Sequence, residues 1–137
     1  MILELETLLV ESLQLEYSLP GDDVEVIAWP DDVDEYRLQS HKAGVLVRYQ
    51  EADFGLPDGA EVVRQMFAPA FLVVTAVRGL RDHTGAYAMM DRNRSRVIGL
   101  EYRNALFYGV SEGLLQKVGA VWMYGQFFAV KQRVKQG

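Results

Sequence analysis

The stretch Val118-Gly-Ala-Val-Trp-Met-Tyr-Gly-Gln-Phe-Phe-Ala-Val-Lys-Gln-Arg-Val134 is largely apolar at both parities of an extended chain. Side chains alternate across a strand, so Val118, Ala120, Trp122, Tyr124, Gln126, Phe128 and Val130 point one way. Val121, Met123, Phe127 and Ala129 point the other, interleaved with Gly119 and Gly125. A strand apolar on two faces needs cover on both, from its own core, a helix or another subunit. Past Val130 the pattern changes, and Lys131, Arg133 and Lys135 alternate on one side where they can stay in water. The strand begins as core and ends as a basic ribbon.

Two more strands share this character. Gly44–Gln50 places Val45, Val47 and Tyr49 on one face. After a loop over Asp53–Gly59, the chain returns through Val62 to Val77, with Phe71, Val73, Thr75 and Val77 on one face and Leu72, Val74 and Ala76 on the other. Pro69 has no N–H to give a ladder, so a bulge or an edge position is expected there. Shorter strands are read at Val24–Trp29 and Ala105–Val110, the latter followed by a turn around Glu112-Gly113 and a lead-in over Leu114–Val118.

Helices flank this strand-rich middle. Over residues 2–17, Ile2, Leu5, Leu9, Leu13 and Tyr17 form one stripe with Leu3 and Val10, against Glu4, Thr7, Glu11 and Gln14. Residues 84–98 read as a second helix, entered at Thr84 and closed by Gly99, with Ala86, Met90 and Val97 buried. Asp31-Asp-Val-Asp-Glu-Tyr36 reads as a single helical turn with acids at its positive end. The order is helix, three strands, helix, two strands. That is an α+β layout, mainly antiparallel, with two helices packed on the sheet, in one domain spanning 1–137.

Charge is divided unevenly along this domain. Residues 1–61 hold 15 of the 19 acids against three bases, a balance of −12; residues 62–137 hold four acids against 11 bases, a balance of +7. The halves either neutralise each other within one fold or give the subunit faces of opposite sign, which suits head-to-tail contact. Overall acidity disfavours nucleic acid as the primary partner. With no cysteine, disulfides and thiolate ligands are excluded. Acids at Glu4 and Glu6, where an export signal needs bases, and the lack of a long apolar run imply a soluble protein that stays where it is made, with no membrane contact.

Catalytic signatures are missing. His41 and His83 stand apart, and the chain has neither a nucleophile elbow nor a phosphate-binding or dinucleotide glycine pattern. No catalytic, cofactor or metal site is expected, and the chain is read as no enzyme. Arg92, Arg94 and Arg96 near the end of the second helix complement its dipole. Asp31, Asp32 and Asp34 lack the glycine of a calcium loop. These charged groups are better candidates for contact with a subunit or partner: Lys131, Arg133, Lys135, Arg92 and Arg96 on the basic side, and Asp31, Asp32 and Asp34 on the acidic side.

Several patterns occur together in order: Trp29-Pro-Asp, Glu35-Tyr-Arg-Leu38, His41 to Tyr49, Arg78-Gly-Leu80, Gly85-Ala-Tyr87, Val97-Ile-Gly-Leu100 and Trp122-Met-Tyr124. Over roughly residues 25–130 this resembles the tail terminators of Mu-type phages, prophages and phage-tail-like particles. The resemblance implies a structural virion protein that forms a homohexameric ring on the last ring of tail-tube subunits. It would stop tube growth and offer a docking surface to neck, head-completion and sheath proteins, while DNA passes the lumen without specific binding. The competing readings are another head–tail connector or tail-completion protein, or a small α+β ligand-binding domain.

Overall fold

The computed structural model describes residues 1–31, 38, 41–56 and 64–135. Helix α1 (Ile2–Glu16) leads into β1 (Val24–Ala28), β2 (Ala43–Phe54) and β3 (Arg64–Val77). Helix α2 (Ala86–Val97) follows, then a small hairpin of β4 (Glu101–Tyr102) and β5 (Ala105–Leu106). Strands β6 (Tyr108–Val118), β7 (Val121–Ala129) and β8 (Gln132–Lys135) complete the chain. The main sheet runs β1-β2-β3-β7-β6, with β8 continuing beside β3. Every pairing is antiparallel except β1 with β2. The fold is α+β, as the alternation of periods predicts.

The two-sided character of the strands is realised as two apolar clusters. On the helix side, Val45, Val47, Phe71, Val73, Val77, Phe128 and Val130 pack with Leu5, Leu9, Leu13 and Tyr17 of α1 and Ala86, Met89 and Val97 of α2. Trp122 and Tyr124 border this core, so one parity of the C-terminal strand faces the helices. On the other side Leu46, Leu72, Val74 and Ala76 gather, joined by Val121, Met123 and Phe127 of the opposite parity. Tyr49 meets Phe71 edge-on at 5.7 Å, extending the first cluster. Burying each such side chain contributes about 1.5–3 kcal/mol.

Several expectations need correcting, among them the single strand read from Val118 to Val134, which is divided between the end of β6, β7 and β8. Glu112-Gly113 is no turn but the middle of β6; the chain reverses at Gly119, whose φ of +60° suits glycine. Val118 therefore ends β6 and faces Val121 across the hairpin. The stretch Ala105–Val110 is divided, because Arg103 and Asn104 take positive φ (49° and 65°) and close the tight β4–β5 hairpin before β6 starts. The loop expected to begin at Asp53 starts later, since Asp53 and Phe54 still pair with Ala68 and Phe67. Leu3, placed on the buried stripe of α1, is 74% exposed; the true stripe is Leu5, Leu9, Leu13 and Tyr17 at steps of four.

Pro69 lies in a central strand rather than at an edge, and the sheet bends around it. On one side β2 shifts register between Tyr49 and Glu51; on the other, β7 gives way to β8 at Val130-Lys131, where the Val130 N–H donates to the Pro69 carbonyl. The irregularity falls where the missing donor would otherwise break a ladder. Helix α2 starts at Ala86 with Gly85 as its cap; the Thr84 hydroxyl instead donates to Asp82 Oδ2. It ends as read, at a Gly99 with φ of +90°.

Candidate assembly surface

Two helices cover four strands. Helix α1 packs on β1 and β2, and α2 on β3 and β7. Strand β6 lies beyond this layer and is exposed along almost its whole length. Val110, Leu114, Leu115 and Val118 are each about half exposed, at 57, 52, 47 and 55%. Leu114 pairs opposite Tyr124 on the helix side; Val118 faces Val121 of the second cluster. Four large apolar side chains on one uncovered edge strand form the kind of patch that another protein surface covers.

Beyond its backbone ladder with β7, β6 is tied to the body by Glu112. It accepts from Arg94 at 2.5 Å and from the buried Gln126 amide at 3.0 Å, while Arg94 also pairs with Asp91. Gln126 belongs to a polar relay beneath α2. Asn93 Nδ2 donates to Thr75 Oγ1 and Gln126 Oε1, both at 3.0 Å; Tyr17 Oη donates to Asn93 Oδ1 at 2.5 Å and lies 3.1 Å from the Met89 carbonyl; Gln126 Nε2 donates to the Met90 carbonyl. Asn93, Thr75 and Gln126 are buried, and burial pushes the Tyr17 phenol well above its ordinary pKa. The relay has a signal in the sequence that hydrophobic patterning passes over: Asn93 falls on the helix stripe beside Met89, Met90 and Val97, and Gln126 on the core parity of its strand.

The candidate contact residues separate into three groups. Arg133 is exposed on β8 and Lys131 is exposed just before it, with Gln132, the first residue of β8, buried between them. Neither cation has a carboxylate partner among the described residues. Lys135 closes the same strand opposite Arg64. Arg92 and Arg96 turn toward α1. Arg92 donates to the Glu16 carboxylate and carbonyl and to Asp22, and stacks 4.4 Å from the Tyr17 ring centre. Arg96 lies 3.6 Å from Glu16. Asp31 is exposed, and Asp32 and Asp34 fall outside the described residues, as does the helical turn read there.

The Arg92 clamp has a pH signature. The Arg92 guanidinium holds the Asp22 carboxyl below the usual range, opposed by its desolvation; the Tyr102 hydroxyl and the chain's N-terminal ammonium do the same for Glu4. A depressed folded pKa gives stability that is complete above the unfolded carboxylate value and is lost as pH falls through the folded value. Stability is thus expected to decline below about pH 4, and Asp22→Asn to flatten that acid limb in urea titrations. An unchanged acid limb would remove Asp22 as its source.

Among the described residues no group of three or more His, Asp or Glu side chains is placed to hold a metal ion, and no helix is long and apolar enough to cross a membrane. A protein family described as Gp37 protein matches residues 12–134 of the chain. No curated protein matches it.

Proposed function

The chain belongs to the Gp37 protein family, a phage-associated one, and on that premise we propose that it is a tail terminator, a structural virion protein that caps the tail tube. In this reading, copies join head to tail into a sixfold ring, halt tube polymerisation and present a surface to neck, head-completion and sheath proteins.

The observation that carries the reading is the ribbon of β8. Lys131 and Arg133 stand exposed and unpaired by any described carboxylate, on a chain whose net charge is −5. Cations left in water do little for a fold, since exposed pairs are worth only about 0–1 kcal/mol. They do steer an acidic surface into register. An acidic surface is supplied by the first half of the chain, where Glu4 and Glu11 of α1 and Glu51 and Asp53 of β2 are exposed. Two unlike surfaces on one subunit are what a heterologous contact requires, and such contacts form rings when the rotation between neighbours closes. Among the described residues no comparable feature favours a ligand-binding domain.

Deletion from the producing particle, followed by electron microscopy, tests the role: over-long headless tubes are expected, and tails of normal length would refute it. Replacing Lys131, Arg133 and Lys135 together with glutamate is expected to leave the circular dichroism spectrum and melting curve of the free protein unchanged while tubes lose their cap. Normal capping by that variant would remove the ribbon from the contact.

A further inference from the structure

Strand β6 offers the longest open sheet edge among the described residues, eleven residues from Tyr108 to Val118. The opposite edge is shorter and already attended. Strand β1 has five residues, and the Gln14 amide on α1 donates to the Val26 carbonyl at 3.0 Å. Natural edges are guarded by proline, by lysine, by bulges or by inward charge, and β6 has two register shifts and the inward-held Glu112. Strand β6 has no proline, and its single lysine folds back, with Lys117 Nζ 4.6 Å from the centre of the Trp122 ring. The edge carries exposed apolar side chains on both sides of the sheet, so a flat cap on one face would not bury them.

We propose that β6 is the surface through which two copies of this chain pair, edge to edge and antiparallel, about a two-fold axis between Leu114 and Leu115. The residues of β6 are complementary to themselves in that register. Ser111 meets Val118, Glu112 meets Lys117, and Gly113 meets Gln116, each twice. Each of these three pairs lies on one side of the sheet, while Leu114 lies on the helix side and Leu115 beside Leu72 on the other. Glu112 and Lys117 are on the helix side, beside Gln126 and Trp122 respectively. Ser111, Gln116 and Val118 oppose Phe127, Met123 and Val121 of the second cluster. Leu115 is the unpaired residue of the bulge between Leu114 and Gln116, and sits with Leu114 at the axis. Pairing satisfies the backbone edge, adds Lys117 of the second copy to a Glu112 that already accepts from Arg94 and Gln126, and buries Leu114 and Leu115 of both copies.

The two-fold pair goes beyond the tail reading and does not rest on it. Strand β6 starts opposite Ala129, whereas the cations of β8 lie further along beside β3, so pairing leaves that ribbon open.

Sedimentation equilibrium of the full chain gives the first readout: a concentration-dependent dimer is expected, and a monomer across the accessible range overturns the proposal. The chain has no cysteine, so a single Leu114→Cys reports the symmetry directly. A two-fold axis at that point brings the two introduced thiols within reach, and oxidation is expected to give a covalent dimer. If the Leu114→Cys protein assembles but does not cross-link, its copies are joined some other way and the two-fold contact is refuted. Lys117→Glu, which sets like charges opposite each other twice, should weaken the dimer roughly tenfold without lowering the melting temperature of the subunit. An unweakened dimer rejects this register. Tube capping is read on particles, so it can fail or succeed independently of these results.

Discussion

Asn93→Ala is expected to lower folding stability by about 3–5 kcal/mol in urea denaturation. Asn93 is fully buried, and its side chain meets three elements at once: Tyr17 at the end of α1, Thr75 on β3 and Gln126 on β7. Alanine leaves the Thr75 hydroxyl and the Gln126 carbonyl oxygen without their described donor, and takes the shortest acceptor from the Tyr17 hydroxyl. Each orphaned buried group costs about 1–3 kcal/mol, and the void adds to this. The Tyr17 hydroxyl keeps the Met89 carbonyl and Gln126 keeps Met90 and Glu112, which holds the sum to the stated range. Asn93→Asp separates the two causes, because it preserves volume but removes both donated hydrogen bonds. It should cost at least as much as alanine, with the loss growing as pH rises and the carboxyl ionises. A loss under about 1 kcal/mol for both variants would mean the relay contributes no more than an ordinary surface hydrogen bond.

The same relay shows why part of this fold is legible in the sequence and part is not. Strand faces are decided by a period of two, and Phe71, Val73, Thr75 and Val77 or Trp122, Tyr124, Gln126 and Phe128 can be sorted by counting. Turn position is harder when glycines are many. Gly113 and Gly119 carry the same local signal, yet Gly113 lies mid-strand opposite Gly125, and Gly119 makes the turn. Their difference comes from the neighbouring strand, which a local pattern does not contain. Edge and centre are likewise properties of topology. Strand β6 carries Val110, Leu114, Leu115 and Val118 as a core strand would, and the packing of α2 over β3 and β7 leaves them bare. The basic ribbon is legible because alternating Lys131 and Arg133 have a bland partner in Gln132. Arg92 is not, since a cation near a helix end reads alike whether it faces water or a clamp of Glu16 and Asp22.

Gly85→Ala should destabilise by about 2–4 kcal/mol, whereas Gly125→Ala should cost under roughly 1.5 kcal/mol. Backbone strain is not the reason, since Gly85 has φ −85° and ψ 173°, an extended conformation open to any residue. Space is. A Cβ at Gly85 would lie 2.7 Å from the Leu80 carbonyl carbon, 2.8 Å from its oxygen and 2.5 Å from Asp82 Oδ1. The backbone around Leu80 is not free to retreat. Its carbonyl accepts from the Tyr87 N–H and the Gly79 carbonyl from the Ala86 N–H, so residues 79–85 are fastened to the first turn of α2. Relief means surrendering those bonds or shifting the helix, and a shifted α2 carries Asn93 away from Thr75 and Gln126. At Gly125 the added methyl meets Leu115 Cδ1 at 2.9 Å and Cγ at 3.0 Å, and Leu72 Cδ1 at 3.0 Å, which are side-chain atoms able to rotate. Leu115 is half exposed and has room to swing outward. Paired urea titrations of the two variants decide the matter: equal losses would show that close approach to Leu80 is not what requires glycine at position 85. A larger loss at Gly85, relieved in part by Asp82→Ala but not abolished, would assign the remainder to the Leu80 backbone.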